Sequence, residues 1–413
     1  MSARFLGLAA VLAASFFLSS GSDAKATKAA RPVPAVSYEA EARLISIYKL
    51  IGSGQARAAL PLAEQLTKNF PTFQLGHLVY GDLLKLQTRP VTMLGDLPEG
   101  MNKPNQMAAL AELREESMQR VKALQEPPPA GTIPSQILGL TARNKHVILV
   151  DASKSRLYLL ENGPTGLKII QNHYISVGKA GTGKYAQGDF KTPLGVYYLT
   201  TPINPKLLAP LYGGGALPIN YPNPFDLRQG KSGNGIWLHG TMPGRYSRQV
   251  KASDGCVVLA NPDLRQLMET VAVKSTPVII ANKLQWVKPA LLAPERQQFE
   301  TSFHAWQAAK NAGQTDHLRD FYMSDFNSYG RKLDTWWPRT LEEIAKAKGR
   351  PFQWSEVSAL IWRPDASEKS PNVMVVTYDE IQPSAKQAVT KRHYWMQSGN
   401  QWKIFFEGVI APS

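Results

Sequence analysis

The stretch "EPPPAGTIPSQILGLTARNKHVILVDASKSRLYLLEN", residues 126 to 162, is where the chain changes its period. Three successive prolines cannot continue a helix, so a linker falls at 126–134. Beyond it "HVILVDASKSRLYLLEN" is strand-like, with turn residues in its middle. Before it the pattern is helical. From Ser37 to about Leu124, "EAEARLISIYKLI", "ARAALPLAEQLTKNF", "FQLGHLVYGDLLKL" and "NQMAALAELREESMQRVKALQ" repeat apolar residues at three- and four-residue spacing. Pro71 and Thr88-Arg89-Pro90 punctuate these runs. One helix pair within "LPLAEQLTKNFPTFQLGHLVYGDLL" is similar to a tetratricopeptide unit, but a repeat array needs about three. A small helical domain over 37–126, serving packing, dimerisation or placement, is the better reading.

Downstream, "LKIIQNHYISVG", "PLGVYYLTT", "GIWLHG" and "TPVIIAN" continue the strand-like pattern, and "NPDLRQLMETVAV" adds one helix. A β-rich domain over 137–284 results. The Pro-containing joint "VKPALLAPE" leads to a last unit, 294–413, in which helical runs precede four strand-like ones. Helices followed by an antiparallel strand series indicate α+β. The expected fold class is therefore multidomain, with a helical region, a central β-rich domain and a C-terminal α+β domain. Seven tryptophans in that last unit, at 306, 336, 337, 354, 362, 395 and 402, fit core packing better than a ligand cleft.

Hydrophobic residues at 43% and charged residues at 19% mark a globular chain, and at 413 residues it exceeds one ordinary domain. Arg4 followed by "FLGLAAVLAASFFLSS" reads as a secretory signal peptide over 1–24, with Ser22-Asp23-Ala24 as cleavage site. An uncleaved anchor helix is the alternative, weakened because the run is at the short limit for a membrane span. The expected location is periplasmic. In that compartment a net charge of +15 suits cell-wall polymer or anionic lipid. The basic residues are dispersed and no aromatic-basic stretch suggests nucleic acid.

Cys256 is the only cysteine, and exported proteins usually pair theirs. An odd thiol is either inert and buried or required for chemistry. His239 ends one expected strand and Cys256 begins another, so the fold can open both at one end of a sheet. A thiol attacks as thiolate, and a neighbouring histidine is the usual means of removing its proton. Gly240 permits close backbone approach, and its carbonyl can hold the second ring nitrogen. Ser253-Asp254-Gly255 makes a tight turn from which the N–H groups of Gly255 and Cys256 can meet an oxyanion.

"GDFKTPLGVYYL" (188–199), "GIWLHG" (235–240) and "ASDGCVVLAN" (252–261) together resemble the YkuD-type L,D-transpeptidase catalytic domain, over about 140–283. The resemblance implies Cys256 as nucleophile, His239 as base, Gly240 as donor of the orienting carbonyl, and Ser253, Gly255 and Cys256 as turn and oxyanion hole. It implies attack on the bond after the third residue of a peptidoglycan stem peptide, expulsion of D-alanine, and a thioester resolved by an amine, water or a D-amino acid. No metal or organic cofactor is implied. Two positions depart from the family pattern. Asp254 stands where histidine is frequent, and is expected to face outward or to pair with Arg245 or Arg248. Val258 stands where many members carry arginine, which leaves the holder of the substrate carboxylate open.

The Gly- and Pro-rich segment 211–235 reads as a substrate-covering flap, with Tyr212, Asn220, Tyr221 and the nearby Asp254 as substrate contacts. A long surface loop is the alternative. The other histidines lack metal-ligand spacing and receive no role. The last unit resembles the nuclear-transport-factor-type cone, a binding or positioning module. Helical region, catalytic domain and cone together resemble the layout of L,D-carboxypeptidases that determine helical cell shape. Crosslinking or attachment by transpeptidation is the leading expectation, and trimming of tetrapeptide to tripeptide the alternative. Release of a wall-attached protein and a non-catalytic wall-binding scaffold are further readings. Partners open to it are stem peptides, wall-attached, divisome or elongation proteins, and a second copy of the chain.

Overall fold

In a computed structural model of the chain, residues 36–97, 103–364, 370–383, 385, 387–399 and 401–410 are described. The expected signal peptide at 1–24 lies outside them. Four helices come first: α1 (Val36–Gly52), α2 (Ala56–Asn69), α3 (Gln74–Lys85) and α4 (Pro104–Gln125). Their buried faces carry Leu44, Ile47, Ala59, Ala63, Leu66, Leu75 and Val79, the three- and four-residue repeat visible in the sequence. Two residues from the β-rich region, Tyr246 and Ala260, complete this helical core.

The central region is built on a five-stranded sheet ordered Gly166–Tyr174, Arg156–Gly163, His146–Asp151, Pro277–Ala281, Gly195–Tyr198. Only Pro277–Ala281 against His146–Asp151 is parallel; the other pairings are antiparallel. His146–Asp151 is buried at every position, as a middle strand covered on both faces must be. Against this sheet sits a three-stranded one ordered Val257–Val258, Trp237–His239, Ala216–Pro218. The helix Asn261–Thr270 follows directly from its first strand.

In the C-terminal region a five-stranded antiparallel sheet runs Gln401–Val409, Val389–Ser398, Val373–Ile381, Gln353–Trp362, and ends with Ile137–Gly139. The last strand is a difference from the sequence reading, which gave 137 onward to the central domain. Ile137 and Gly139 instead pair with Leu360 and Ala359, because backbone groups at this sheet edge need partners that no local pattern reveals. Alternate residues of the sheet face opposite cores. Leu360, Trp362, Val375, Tyr394 and Met396 join the central core, while Ile361, Met374, Val376 and Trp395 pack under the helix Ala293–Asn311. The run "HLRDFYMSDF" (317–326), expected as a helix, is helical only at its start, where the helix Thr315–Arg319 ends. Of the tryptophans in this region, Trp306, Trp336, Trp337, Trp362, Trp395 and Trp402 are all buried. The described residues form one compact unit.

Two buried ionic clusters stand out, one at the joint of the helical and central regions. Arg120 of α4 meets Glu116 at 2.7 Å and Glu41 at 3.1 Å, and Glu41 also meets Arg156 of the central sheet at 2.7 Å. Burial raises the Glu41 pKa, but the guanidinium groups of Arg156 and Arg120 outweigh it and bring it down to about 2. In the C-terminal region Lys391 meets Glu380 at 2.8 Å and Glu407 at 3.2 Å, with Lys310 on Glu380 at 2.8 Å. Buried charges persist only when paired in this way.

Candidate active site

His239 closes the strand Trp237–His239, and parallel pairing sets it beside Val258. The same register carries Cys256 alongside Trp237, one diagonal step from the imidazole. Sequence-distant residues are thus brought together by one ladder. The sulfur is fixed by backbone: Sγ accepts the Trp237 N–H at 3.4 Å, and the thiol donates to the Gly235 carbonyl at 3.4 Å. Burial pushes the thiol up to about 11, against the opposing pull of the Trp237 N–H and the Arg248 charge.

His239 is buried, with 2% of its surface exposed. Its Nδ1 lies 2.7 Å from the Gly240 carbonyl, so Nδ1 carries the proton and Nε2 presents a lone pair. Burial brings the imidazole down to about 4, despite the Gly240 carbonyl, which raises it. At neutral pH the site therefore holds a neutral thiol and a neutral imidazole. That arrangement suits a general base that takes the proton during attack, rather than a standing thiolate–imidazolium pair.

The turn before the cysteine is held by Ser253. Its Oγ donates to the Cys256 carbonyl at 2.6 Å and accepts the Gly255 N–H at 3.1 Å. This corrects the expectation that the Gly255 N–H faces an oxyanion, since the Ser253 hydroxyl occupies it. The Cys256 N–H has no acceptor among the described residues, and it is the free donor next to the sulfur. Gly255 has φ +126°, and a Cβ there would stand 2.7 Å from the Lys191 carbonyl oxygen, so only glycine fits.

Asp254 turns away from the sulfur. Its side chain is 77% exposed and meets Lys179 at 2.9 Å, not Arg245 or Arg248. Nothing in that position suits it to substrate contact at the thiol. The segment 211–235 is also not a free flap. It contains the strand Ala216–Pro218 and the helix Pro224–Arg228, which is capped by a reciprocal Asn223/Asp226 box. Of its three expected contacts only Tyr212 adjoins the pair, with its ring edge-on to His239 at 5.0 Å and tilted on Trp237 at 4.9 Å. The Asn220 carboxamide accepts from the Tyr198 N–H at 2.7 Å, and the Tyr221 hydroxyl donates to the Ser232 carbonyl at 3.1 Å. Both residues line a cavity of about 700 Å³ against the C-terminal sheet, away from Cys256. Among the described residues no group of three or more His, Cys, Asp or Glu side chains converges as metal ligands do.

Sequence reading missed Asn261. Its Oδ1 accepts the Gly214 N–H at 3.0 Å and the Thr241 N–H at 3.1 Å, while its Nδ2 donates to the Thr241 carbonyl at 2.9 Å. It therefore ties the chain just after His239 to the chain just after Tyr212. The signal was an Asn-Pro pair opening a helix directly after a strand, which reads as an ordinary helix start.

No curated protein matches the chain. Among solved structures it is similar to Bd1075 of Bdellovibrio bacteriovorus, at 25% identity and TM-score 0.56, over 68% of this chain and 99% of that one. It shares a fold with the helical cell shape determining protein Pgp2 of Campylobacter jejuni, at 22% identity and TM-score 0.52, over 67% of this chain and 95% of that one. A point variant of Pgp2 gives 21% identity and TM-score 0.51, over 71% and 97%. The family model of the L,D-transpeptidase catalytic domain, YkuD, matches residues 145–280, the span that holds the His239–Cys256 ladder and its supporting sheet. Residues 145–280 are an L,D-transpeptidase catalytic domain of the YkuD family.

Proposed function

We propose that the protein is an exported cysteine acyltransferase of peptidoglycan stem peptides, with Cys256 as nucleophile and His239 as its base. The observation that carries this reading is the Nδ1 contact of 2.7 Å to the Gly240 carbonyl, which leaves Nε2 as the only basic atom of a ring that the strand ladder sets one diagonal step from the sole thiol. As Sγ attacks the carbonyl carbon of the third stem residue, its proton passes to His239 Nε2. The oxyanion faces the Cys256 N–H. Collapse breaks the C–N bond, and the departing D-alanine amine takes the proton from His239, leaving a thioester. An acceptor amine or water then adds to the thioester carbonyl and gives its proton to His239 Nε2; the C–S bond breaks, and that proton returns to Sγ to restore the thiol.

The acceptor decides the reaction. Crosslinking or attachment is the leading reading, from the family of residues 145–280. Hydrolysis to tripeptide is favoured by a separate observation: the likeness to Pgp2, named for helical cell shape, extends over 67% of this chain, well beyond the catalytic span. A C-terminal cone of nuclear-transport-factor type is part of this reading, as a module that binds or positions the glycan-linked substrate. Incubating the protein with purified muropeptides and reading masses separates the outcomes. Tripeptide monomer marks hydrolysis, and dimers joined through two diamino acids mark transpeptidation. If neither forms, and Cys256→Ala leaves muropeptide composition in cells unchanged, the proposal fails.

A further inference from the structure

Three lysines around the cleft are paired with acids: Lys179 with Asp254 at 2.9 Å, Lys184 with Asp189 at 2.8 Å, Lys231 with Asp226 at 3.2 Å. Arg248 breaks this pattern. It is half-buried, has no carboxylate within ion-pair distance among the described residues, and one of its Nη2 hydrogens goes to the Leu211 carbonyl at 2.9 Å. Leu211 precedes Tyr212, whose ring adjoins His239, so the guanidinium is tied to the segment that packs against the imidazole. Its charge acts on both Cys256 and His239.

The backbone that carries Arg248 is fixed on either side. Ser247 Oγ donates to Glu116 at 2.8 Å and Gln249 Nε2 donates to Glu112 at 2.6 Å, both on α4. Tyr174 Oη donates to the Arg248 carbonyl at 3.1 Å, and the Val177 N–H donates to the Val250 carbonyl at 3.0 Å. A half-desolvated guanidinium without a counter-charge is costly to maintain, and a planar fork with free N–H groups matches a carboxylate.

We propose that Arg248 binds the free C-terminal carboxylate of the donor peptide, one residue beyond the scissile bond. This rests on the acyl-transfer reading above. The leaving amine must reach His239 Nε2 to be protonated, so the residue that owns it lies beside the segment to which Leu211 ties Arg248. The carboxylate of that residue then meets the fork. Arg248 thereby selects donors that end one residue past the cleavage point.

The test compares wild type, Arg248→Gln and Arg248→Lys on two measurements. With tetrapeptide ending in a free carboxylate, Arg248→Gln is expected to lose about 10- to 100-fold in kcat/KM, while the C-terminally amidated peptide changes little. Arg248→Lys recovers part of the loss. Independently of any peptide reaction, Cys256 is alkylated with iodoacetate and with iodoacetamide. The iodoacetate-to-iodoacetamide rate ratio is expected to fall about fivefold in Arg248→Gln, since thiol acidity cancels in the ratio and only recognition of the carboxylate remains. An equal loss on both peptides with an unchanged ratio overturns the assignment. Absence of peptide turnover in wild type defeats the acyl-transfer reading, and the alkylation ratio still decides whether Arg248 receives carboxylates at the thiol.

Discussion

Asn261 and Gly240 offer a double-mutant cycle whose sign follows from the geometry. A Cβ added at Gly240 would stand 2.0 Å from Asn261 Oδ1 and 3.2 Å from the Gly214 nitrogen. Gly240 is not among the glycines with positive φ, so Gly240→Ala carries no backbone strain and its cost is steric. Oδ1 cannot simply withdraw, because it accepts from Gly214 and Thr241 while Nδ2 donates to Thr241. Displacing it breaks the clamp. At about 1 kcal/mol per hydrogen bond, Asn261→Ala costs about 3 kcal/mol, and Gly240→Ala costs a similar amount by breaking the same bonds. In the double variant the obstructing oxygen is gone, and only the contact with Gly214 remains. The double variant should therefore be about 2 kcal/mol more stable than the sum of the single losses predicts. Urea unfolding of the four proteins measures this directly. Additive losses within about 0.5 kcal/mol would refute the claim that Asn261 is the group Gly240 must avoid.

Three further outcomes follow from the charges. With the thiol held at about 11, iodoacetamide should modify Cys256 at pH 7.5 some hundreds of times more slowly than a free thiol, the rate climbing about tenfold per pH unit. A plateau near pH 8.5 would contradict the burial of the sulfur. His239 lies near 4 in the folded chain and about 6.5 unfolded, so its contribution is present above pH 6.5 and lost as pH falls through 4. The loss is about 3 kcal/mol, and the wild-type stability profile should be steeper over that window than that of His239→Gln by this amount. Arg120→Met leaves Glu41 and Glu116 with one cation fewer in a buried joint, and should lower unfolding free energy by about 3–5 kcal/mol in urea titration. A change under 1 kcal/mol would show that water or relaxation repairs the gap.

What could be read from the sequence had local signatures. Helical period before Glu126 and strand period after it located the helices and the main strands, because burial imposes those periods residue by residue. The turn at 253–256 and the His239-Gly240 pair were visible for the same reason, as each requirement is met within four residues. Contacts between distant segments left no such trace. Ile137–Gly139 carries nothing that marks it as the edge of a sheet whose other strands begin beyond residue 350. Nothing local to α4 marks Arg120, and only the folded chain brings Glu41 to it, with Arg156 on the same carboxylate. The segment 211–235 misled through composition. Its glycines and prolines suggested a mobile cover, while the Asn223/Asp226 capping box was present and went unread.

The connection from Gly240 to Gly255 explains why a helical region belongs to this catalytic domain. Its end near His239 is held by Asn261, and its end near Cys256 by the Ser253 hydroxyl. Between them, Tyr246 inserts against Phe73 at 4.6 Å, the Tyr246 N–H donates to the Thr72 carbonyl at 3.2 Å, and Ser247 and Gln249 bind α4. The middle portion lies in no strand, since the chain leaves the three-stranded sheet after His239 and next pairs only at Lys251–Ser253, with Val177–Gly178. The helices supply the missing partners. Glu116 does so twice, accepting from Ser247 while paired with Arg120, so the buried cluster that joins α1, α4 and the central sheet also fixes the backbone beside Arg248. Loosening that cluster would therefore be felt at the thiol through the placement of one guanidinium, without any change to Cys256 or His239 themselves.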